Sequence, residues 1–193
     1  MLNIGVLALQ GDFAEHAAML RQIGANPIEV RKAEQLADLH GLIIPGGEST
    51  TISRVARASG LYEPLREFAA RKPTWGTCAG AILLAKRVTG QEAHLGVMDI
   101  AVTRNAFGRQ IDSFSTELLV EGFERPLRAV FIRAPIIESV GAGVRVLARL
   151  PDGRIVAAQQ GHLLATAFHP ELTPDTRLHT YFLDICHQQR VMA

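Results

Sequence analysis

Three short apolar runs near the N-terminus constrain the fold more than any other feature of this chain. Residues 2–9 are almost continuously apolar and stop at Gln10-Gly11-Asp12; residues 28–30 and 41–44 repeat the pattern, the last running straight into Pro45-Gly46-Gly47-Glu48-Ser49-Thr50. Runs this short, without polar alternation, suit strands buried on both faces, as in a parallel sheet. Between the first two, Phe13, Ala17, Leu20 and Ile23 recur at helical spacing and Gly24 closes the helix, with Asp12 placed to cap its first turn. After the third, Ser49 or Thr50 is placed to cap a helix through Ile52, Val55 and Ala56; residues 62–70 form another before the extended piece Thr74-Trp75-Gly76. Strand then helix, repeated, is the grammar of right-handed βαβ units.

Beyond about Gly90 the grammar changes. Strands are expected at 100–103, 118–120, 129–132 and 144–150 with little helix between them. Pro151-Asp152-Gly153 turns the last of these into a strand at 155–158, because Pro presets one φ and Gly tolerates a positive one. Gly161-His162 then turns into 163–168, and a final helix over about 175–189 buries Leu178, Phe182, Ile185 and Cys186. The predicted fold is α/β: a three-layer, mostly parallel, flavodoxin-like sheet flanked by helices, with an antiparallel extension, in a single domain spanning 1–193.

Composition narrows the function classes. With 193 residues, 48% of them hydrophobic, the chain can bury a full core without staples. Twenty Lys and Arg against nineteen Asp and Glu leave a formal net charge of +1, and no charge run stands out. That gives no electrostatic footprint for nucleic acid or for a polybasic membrane contact. No apolar run approaches the ~20 residues of a membrane helix, and the first residues lack the features of a secretory signal. Cys78 and Cys186 could form at most one bridge, and no paired Cys or His spacing of the zinc kind occurs, so no metal is expected. These features predict a cytoplasmic, soluble protein.

The sharpest local feature is Thr74-Trp75-Gly76-Thr77-Cys78-Ala79-Gly80-Ala81-Ile82-Leu83-Leu84. A strand enters, a cysteine sits between glycines two residues away on either side, and an apolar helix leaves. This is the layout of a nucleophile elbow with Cys in place of Ser. The sharp turn strains the nucleophile's backbone, and a side chain at Gly76 or Gly80 would collide with its neighbours. The helix starting near Ala79 points its positive end at the sulfur, which favours the attacking thiolate.

A thiolate catalyst needs a base and a group that orients the base. Of the seven histidines, His169 ends the run at 163–168 as the chain turns through Pro170, and strand ends in an α/β sheet face the ligand crevice. Glu171, two positions on, could face the same way. Taken alone, the tripeptide reads more simply as a turn histidine beside a solvated glutamate. His16 and His179 read as ordinary helix-face residues. In Pro45-Gly46-Gly47-Glu48-Ser49, the glycines let backbone amides point into the crevice and serve an oxyanion; the lysine and spacing of a phosphate loop are absent. Arg104, Arg109 and Arg133 each offer a fork for a carboxylate, and Arg133 directly follows an apolar strand.

Together these pieces resemble the class I glutamine amidotransferases, whose triad is Cys-His-Glu. The resemblance narrows through Leu9-Gln10-Gly11, Pro45-Gly46-Gly47-Glu48-Ser49-Thr50, Gly76-Thr77-Cys78-Ala79-Gly80, Arg104-Asn105-Ala106-Phe107-Gly108-Arg109-Gln110, Phe131-Ile132-Arg133-Ala134-Pro135 and Phe168-His169-Pro170-Glu171-Leu172. Those blocks are similar to the glutaminase subunits of pyridoxal 5′-phosphate synthase, in family order and along nearly the whole chain. The resemblance implies a catalytic triad of Cys78, His169 and Glu171, which hydrolyses L-glutamine to L-glutamate and ammonia. It implies glutamine binding by Gly47, Glu48, Ser49, Arg104, Ile132 and Arg133, with Gly47 and Ala79 as the oxyanion hole. It implies no cofactor, and a partner synthase subunit, in a large hetero-oligomer, that receives the ammonia and makes pyridoxal 5′-phosphate. An activation switch is expected at Gln10 and Gly46, with low activity in the isolated chain.

Overall fold

The computed structural model describes residues 1–108 and 113–192, so Arg109 and Gln110 of the arginine block lie outside the described residues. The first half runs β1 (Asn3–Leu7), α1 (Phe13–Gln22), β2 (Asn26–Val30), β3 (Gly41–Ile44), α2 (Ser49–Ala58), α3 (Tyr62–Arg71), β4 (Thr74–Thr77) and α4 (Ala79–Leu84). The second runs β5 (Ala85–Val88), β6 (Met98–Thr103), β7 (Ser113–Leu118), β8 (Leu127–Ile132), β9 (Ile136–Val140), β10 (Arg145–Arg149), β11 (Ile155–Gln160), β12 (Leu163–Thr166) and α5 (Arg177–Met192).

The main sheet has the order β2-β1-β3-β4-β12-β11-β9-β6-β5, with β10 paired to β11. From β2 through β12 every pairing is parallel; the β12–β11, β11–β9 and β9–β6 pairings are antiparallel. The expected parallel half and antiparallel extension are both present, joined at β12. Both faces of the central strands are buried, which is why β3, β4 and β12 show no polar alternation. Leu42, Ile44 and Ala165 pack against α2, α3 and α4, whereas Ile43, Trp75 and Leu164 face α1 and α5.

Some local expectations shift. The strand expected at 118–120 lies earlier, as β7, whose residues alternate between solvent and core until Leu118 is buried. It pairs with β8 in a separate two-stranded sheet. Polar alternation on a hairpin with one wet face leaves little apolar signal to mark such a strand. β5 and β9 went unrecognised: β5 presents Lys86 and Arg87 outward and follows α4 with no intervening turn, and β9 has only Ile137 buried.

The carboxy ends of the parallel strands converge. Residue pairs Thr77↔Thr166 and Gly76↔Ile44 put the ends of β4, β12 and β3 side by side, and the Cys78 N–H donates to the Thr166 carbonyl at 2.8 Å. The elbow between β4 and α4 is tight enough to exclude a side chain at Gly76 and at Gly80. A Cβ on Gly80 would run into the backbone carbonyl of Ile44, and one on Gly76 into that of Gly80. Because backbone and not a flexible side chain blocks the space, Gly80→Ala should destabilise the fold by about 1–3 kcal/mol. Urea unfolding should show a lower midpoint with an unchanged slope.

Candidate active site

One pocket of about 500 Å³ opens over those strand ends and is lined by Gln10, Asp12, Gly47, Glu48, Ser49, Cys78, Ala79, Ile82, Arg104, Asn105, Ile132, Arg133 and His169. The loops after β1, β3, β4 and β12 supply most of it, as expected where ligands bind beyond the carboxyl ends of an open sheet. The hairpin supplies Ile132 and Arg133. It is tied to His169, whose backbone N–H donates to the Val130 carbonyl at 2.8 Å.

Cys78 sits at φ +51°, and the other two non-glycine residues with positive φ among the described residues, Asn105 and Arg133, line the same pocket. Backbone strain of about 1–3 kcal/mol at each such position persists only where the surroundings enforce it. At Cys78 the enforcement is the strand-to-helix elbow, which holds the sulfur at the pocket wall near the N-terminus of α4. The thiol also points at the Ile132 carbonyl, 3.9 Å away. Cys186 is different: buried under α5, its thiol is pushed up to about 12 by desolvation, so it stays inert.

His169 and Glu171 are only 3% and 6% exposed, which overturns the reading of a turn histidine beside a solvated glutamate. Pro170 opens a short 3-10 turn that folds Glu171 back under the ring. His169 Nδ1 lies 2.6 Å from Glu171 Oε1, and the ring lines the same pocket as Cys78. Burial opposes a charge on the ring, but the sulfur on one side and the carboxylate on the other outweigh it, and the imidazole is raised to about 10. Burial pushes the Glu171 carboxyl up, against the pull of His169. Cys78 and His169 meet at the pocket, and Glu171, bonded to His169, carries the line on into the core.

The loop after β3 is held from below. The Asp12 N–H donates to the Gly46 carbonyl at 3.3 Å, and the Glu48 N–H to Gln10 Oε1 at 2.8 Å. A Cβ on Gly46 would press on the His169 ring at 2.5 Å, and Gly47 holds a φ of +151° that side-chain-bearing residues rarely adopt, so close approach calls for glycine at the first position and backbone conformation at the second. The helix caps differ from expectation. Glu48, not Ser49 or Thr50, caps α2, accepting from the N–H groups of Thr50 and Thr51. Asp12 makes no side-chain cap on α1; its carboxylate lies 3.5 Å from His169 Nδ1. Freed of capping, the Ser49 hydroxyl is buried at the pocket with no partner among the described residues.

Arg104 reaches Glu48 at 2.9 Å and Gln91 at 2.8 Å. Partial burial raises the Glu48 carboxyl, but bonds from Thr51 and Thr50 and the Arg104 charge hold it at about 2. Arg133 makes no ion pair among the described residues. The pocket therefore brings together Cys78, His169, Gly47, Glu48, Ser49, Ala79, Arg104, Ile132, Arg133 and Gln10, with Glu171 directly behind His169. Ligand atoms of Asp12, His169 and Glu171 come within 4.8 Å of one another, close enough to touch one cation. His169 Nδ1 cannot ligate while it donates to Glu171. Sequence reasoning missed Asp12 and the fully buried His16, whose position on the apolar stripe with Ala17 and Leu20 was the available signal.

The comparisons with known proteins agree with this geometry. The SNO glutamine amidotransferase family matches residues 6–188. A Niallia circulans protein named pyridoxal 5′-phosphate synthase subunit PdxT is 56% identical over 191 residues, covering 98% of this chain and 100% of the relative. Its namesake from Halalkalibacterium halodurans is 53% identical over 195 residues, covering 100% and 99%. A crystal structure described as a glutamine amidotransferase superposes with a TM-score of 0.90 at 50% identity, over 95% of this chain and 98% of that one. The structure of PurLQS from Thermotoga maritima, at 18% identity and a TM-score of 0.69 over 95% of this chain and 98% of that one, shares the fold. No helix among the described residues is long and apolar enough to cross a membrane. By match along nearly its whole length and by fold, this chain belongs to the SNO glutamine amidotransferase family.

Proposed function

We propose that this chain hydrolyses L-glutamine to L-glutamate and ammonia, and passes the ammonia to a synthase subunit that makes pyridoxal 5′-phosphate. The observation that carries the chemistry is the line Cys78–His169–Glu171 ending at a strained thiol in a pocket. The PdxT names of the relatives support the partner and the purpose.

Cys78 Sγ, its proton held by His169, attacks the carbon of the side-chain amide, and the oxyanion that forms is met by the N–H groups of Gly47 and Ala79. His169, already protonated at neutral pH, gives its proton to the leaving nitrogen; the C–N bond breaks and ammonia departs. The γ-glutamyl thioester remains. His169 then takes a proton from water, the hydroxyl attacks the thioester carbon, and the C–S bond breaks to return the sulfur and release glutamate. Glu171 stays ionised throughout and holds the imidazole in register.

The head group of glutamine is a zwitterion, and the Glu48–Arg104 pair offers it one charge of each sign. Its ammonium meets Glu48 and its carboxylate Arg104, while the buried Ser49 hydroxyl and the backbone at Ile132 and Arg133 supply further polar contacts. Ammonia is a base and becomes ammonium in water, so a shielded route to the partner preserves its lone pair. The Asp12 amide holds the Gly46 carbonyl and Gln10 holds the Glu48 amide, one on each side of Gly47, which makes the Gly46-Gly47 peptide the place where docking of the partner would raise activity. Restraint in the lone chain avoids wasteful hydrolysis.

The primary experiment measures glutamate release with and without the synthase subunit. Wild type should be slow alone and faster with the partner, and Cys78→Ala should be inactive in both. Turnover that survives loss of Cys78 would sink the reading. Arg104→Met should raise KM for glutamine about tenfold to a hundredfold, as expected for losing a charge-assisted hydrogen bond worth about 1.5–3 kcal/mol, with a smaller change in kcat. NMR of His169 should show the ring charged through neutral pH and losing its proton near about 10, and Glu171→Gln should bring that transition down. Because the folded-state value is raised, the stability that the charged His169 ring contributes is complete only below its ordinary value of about 6.5 and shrinks above it. It should fade as pH rises through about 10, so wild type and Glu171→Gln should converge in urea midpoint there.

A further inference from the structure

Behind the triad, on the core side, two histidines are completely buried: His16 on α1 and His179 on α5. The chemistry above uses neither. His16 Nδ1 lies 2.9 Å from His179 Nε2, and His16 Nε2 lies 3.2 Å from Thr77 Oγ1 and 3.4 Å from Glu171 Oε2. Glu171 commits Oε1 to His169, and Oε2 makes no hydrogen bond among the described residues; His16 Nε2, which bonds Thr77 Oγ1, is the ring nitrogen that comes within 3.4 Å of it. A carboxylate oxygen removed from water and left unmatched is costly, so the one ring nitrogen that approaches it matters.

We propose that His16 is a positioning residue for Glu171: a neutral imidazole that carries its proton on Nε2, donates it to Thr77 Oγ1, and turns the positive end of that N–H toward Oε2 at 3.4 Å, which keeps Oε1 aimed at His169. The proton's location follows from one asymmetry, that an ionised carboxylate can only accept. Nε2–H on His16 leaves its Nδ1 bare, so His179 donates to it from Nε2 and keeps a bare Nδ1. That last nitrogen has no partner, as this alternation requires. The opposite polarity would set a bare Nε2 against Oε2 and strand an N–H of His179 in the core. Trp75 packs edge-on to both rings and limits their rotation. Burial and the neighbouring His179 and His169 keep His16 neutral, and burial takes His179 to about 3. The groups facing Glu171 are then His169, His16 and Asp12, and those facing His16 are His179, His169, Glu171 and Thr77.

The positioning role rests on the glutaminase reading; the direction of the hydrogen bonds does not. Ring-nitrogen NMR of the wild-type chain should therefore come first, since it needs no variant to fold. Both His16 and His179 should be neutral Nε2–H tautomers across about pH 6 to 8, the range in which an ordinary histidine titrates. An Nδ1–H tautomer or a charged ring at His16 overturns the proposal. In the glutaminase assay with the synthase subunit, His16→Leu should lower kcat about tenfold to a hundredfold, the scale of a hydrogen bond to a charged group, and leave KM for glutamine unchanged. Its acidic limb should move to higher pH, because Glu171 loses a nearby N–H dipole that favours its ionised form. His16→Gln, whose amide nitrogen falls where Nε2 sits, should restore most of kcat and the limb. An unchanged kcat and pH profile in His16→Leu, or a loss that Gln does not restore, also overturns it. Turnover by Cys78→Ala would refute the glutaminase reading alone and leave the tautomer pattern standing.

Discussion

Everything at the site depends on the parallel pairing of β4 with β12. Because Thr77 stands opposite Thr166, the two strands stop together and release their next residues into the same space. Cys78 is fixed by the elbow and by its N–H bond to Thr166; His169 is fixed by the turn at Pro170 and by its N–H bond to Val130. A slip of one residue in this register would turn Trp75 from one face of the sheet to the other and part the sulfur from the ring. The full burial of Trp75, whose indole N–H donates to Thr166 at 3.0 Å, makes such a slip expensive.

On this frame the site holds its charges in layers. The outer layer is the Glu48–Arg104 pair, partly wet and suited to a charged head group. The inner layer is the imidazole between sulfur and carboxylate, shielded from water, where each interaction counts for more. The innermost layer is two neutral histidines. A buried carboxylate would be a liability by itself; bonded to His169 on one side and faced by His16 on the other, it becomes a rigid part of the scaffold.

Much of this was legible in the residues. The continuous apolar runs specified a sheet buried on both faces, and Gly76, Cys78 and Gly80 specified the elbow, because only glycine fits where backbone meets backbone. The His-Pro-Glu tripeptide was ambiguous locally, since burial depends on β8 and α1 packing over it. His16 looked ordinary for the same reason: its partners come from β4, the turn after β12 and α5, and no window of sequence contains them. The caps on α1 and α2 were misplaced because Asp12 and Ser49 have the chemistry of caps, and the pocket holds both elsewhere. β7 was displaced because a hairpin with one wet face carries too few apolar residues to mark its span.

The place of β12 in the sheet has a bearing on how the protein is made. Trp75 and Thr166, which touch in the core, are 91 residues apart in sequence. Pairings that close so long a loop form slowly and late. Translation from the N-terminus therefore delivers the thiol, the elbow and the first four strands well before the base exists, and the central gap of the sheet is filled only when the penultimate segment leaves the ribosome. Cys78 meets His169 only once that strand inserts beside β4, so closing the sheet and bringing the two side chains together are a single event.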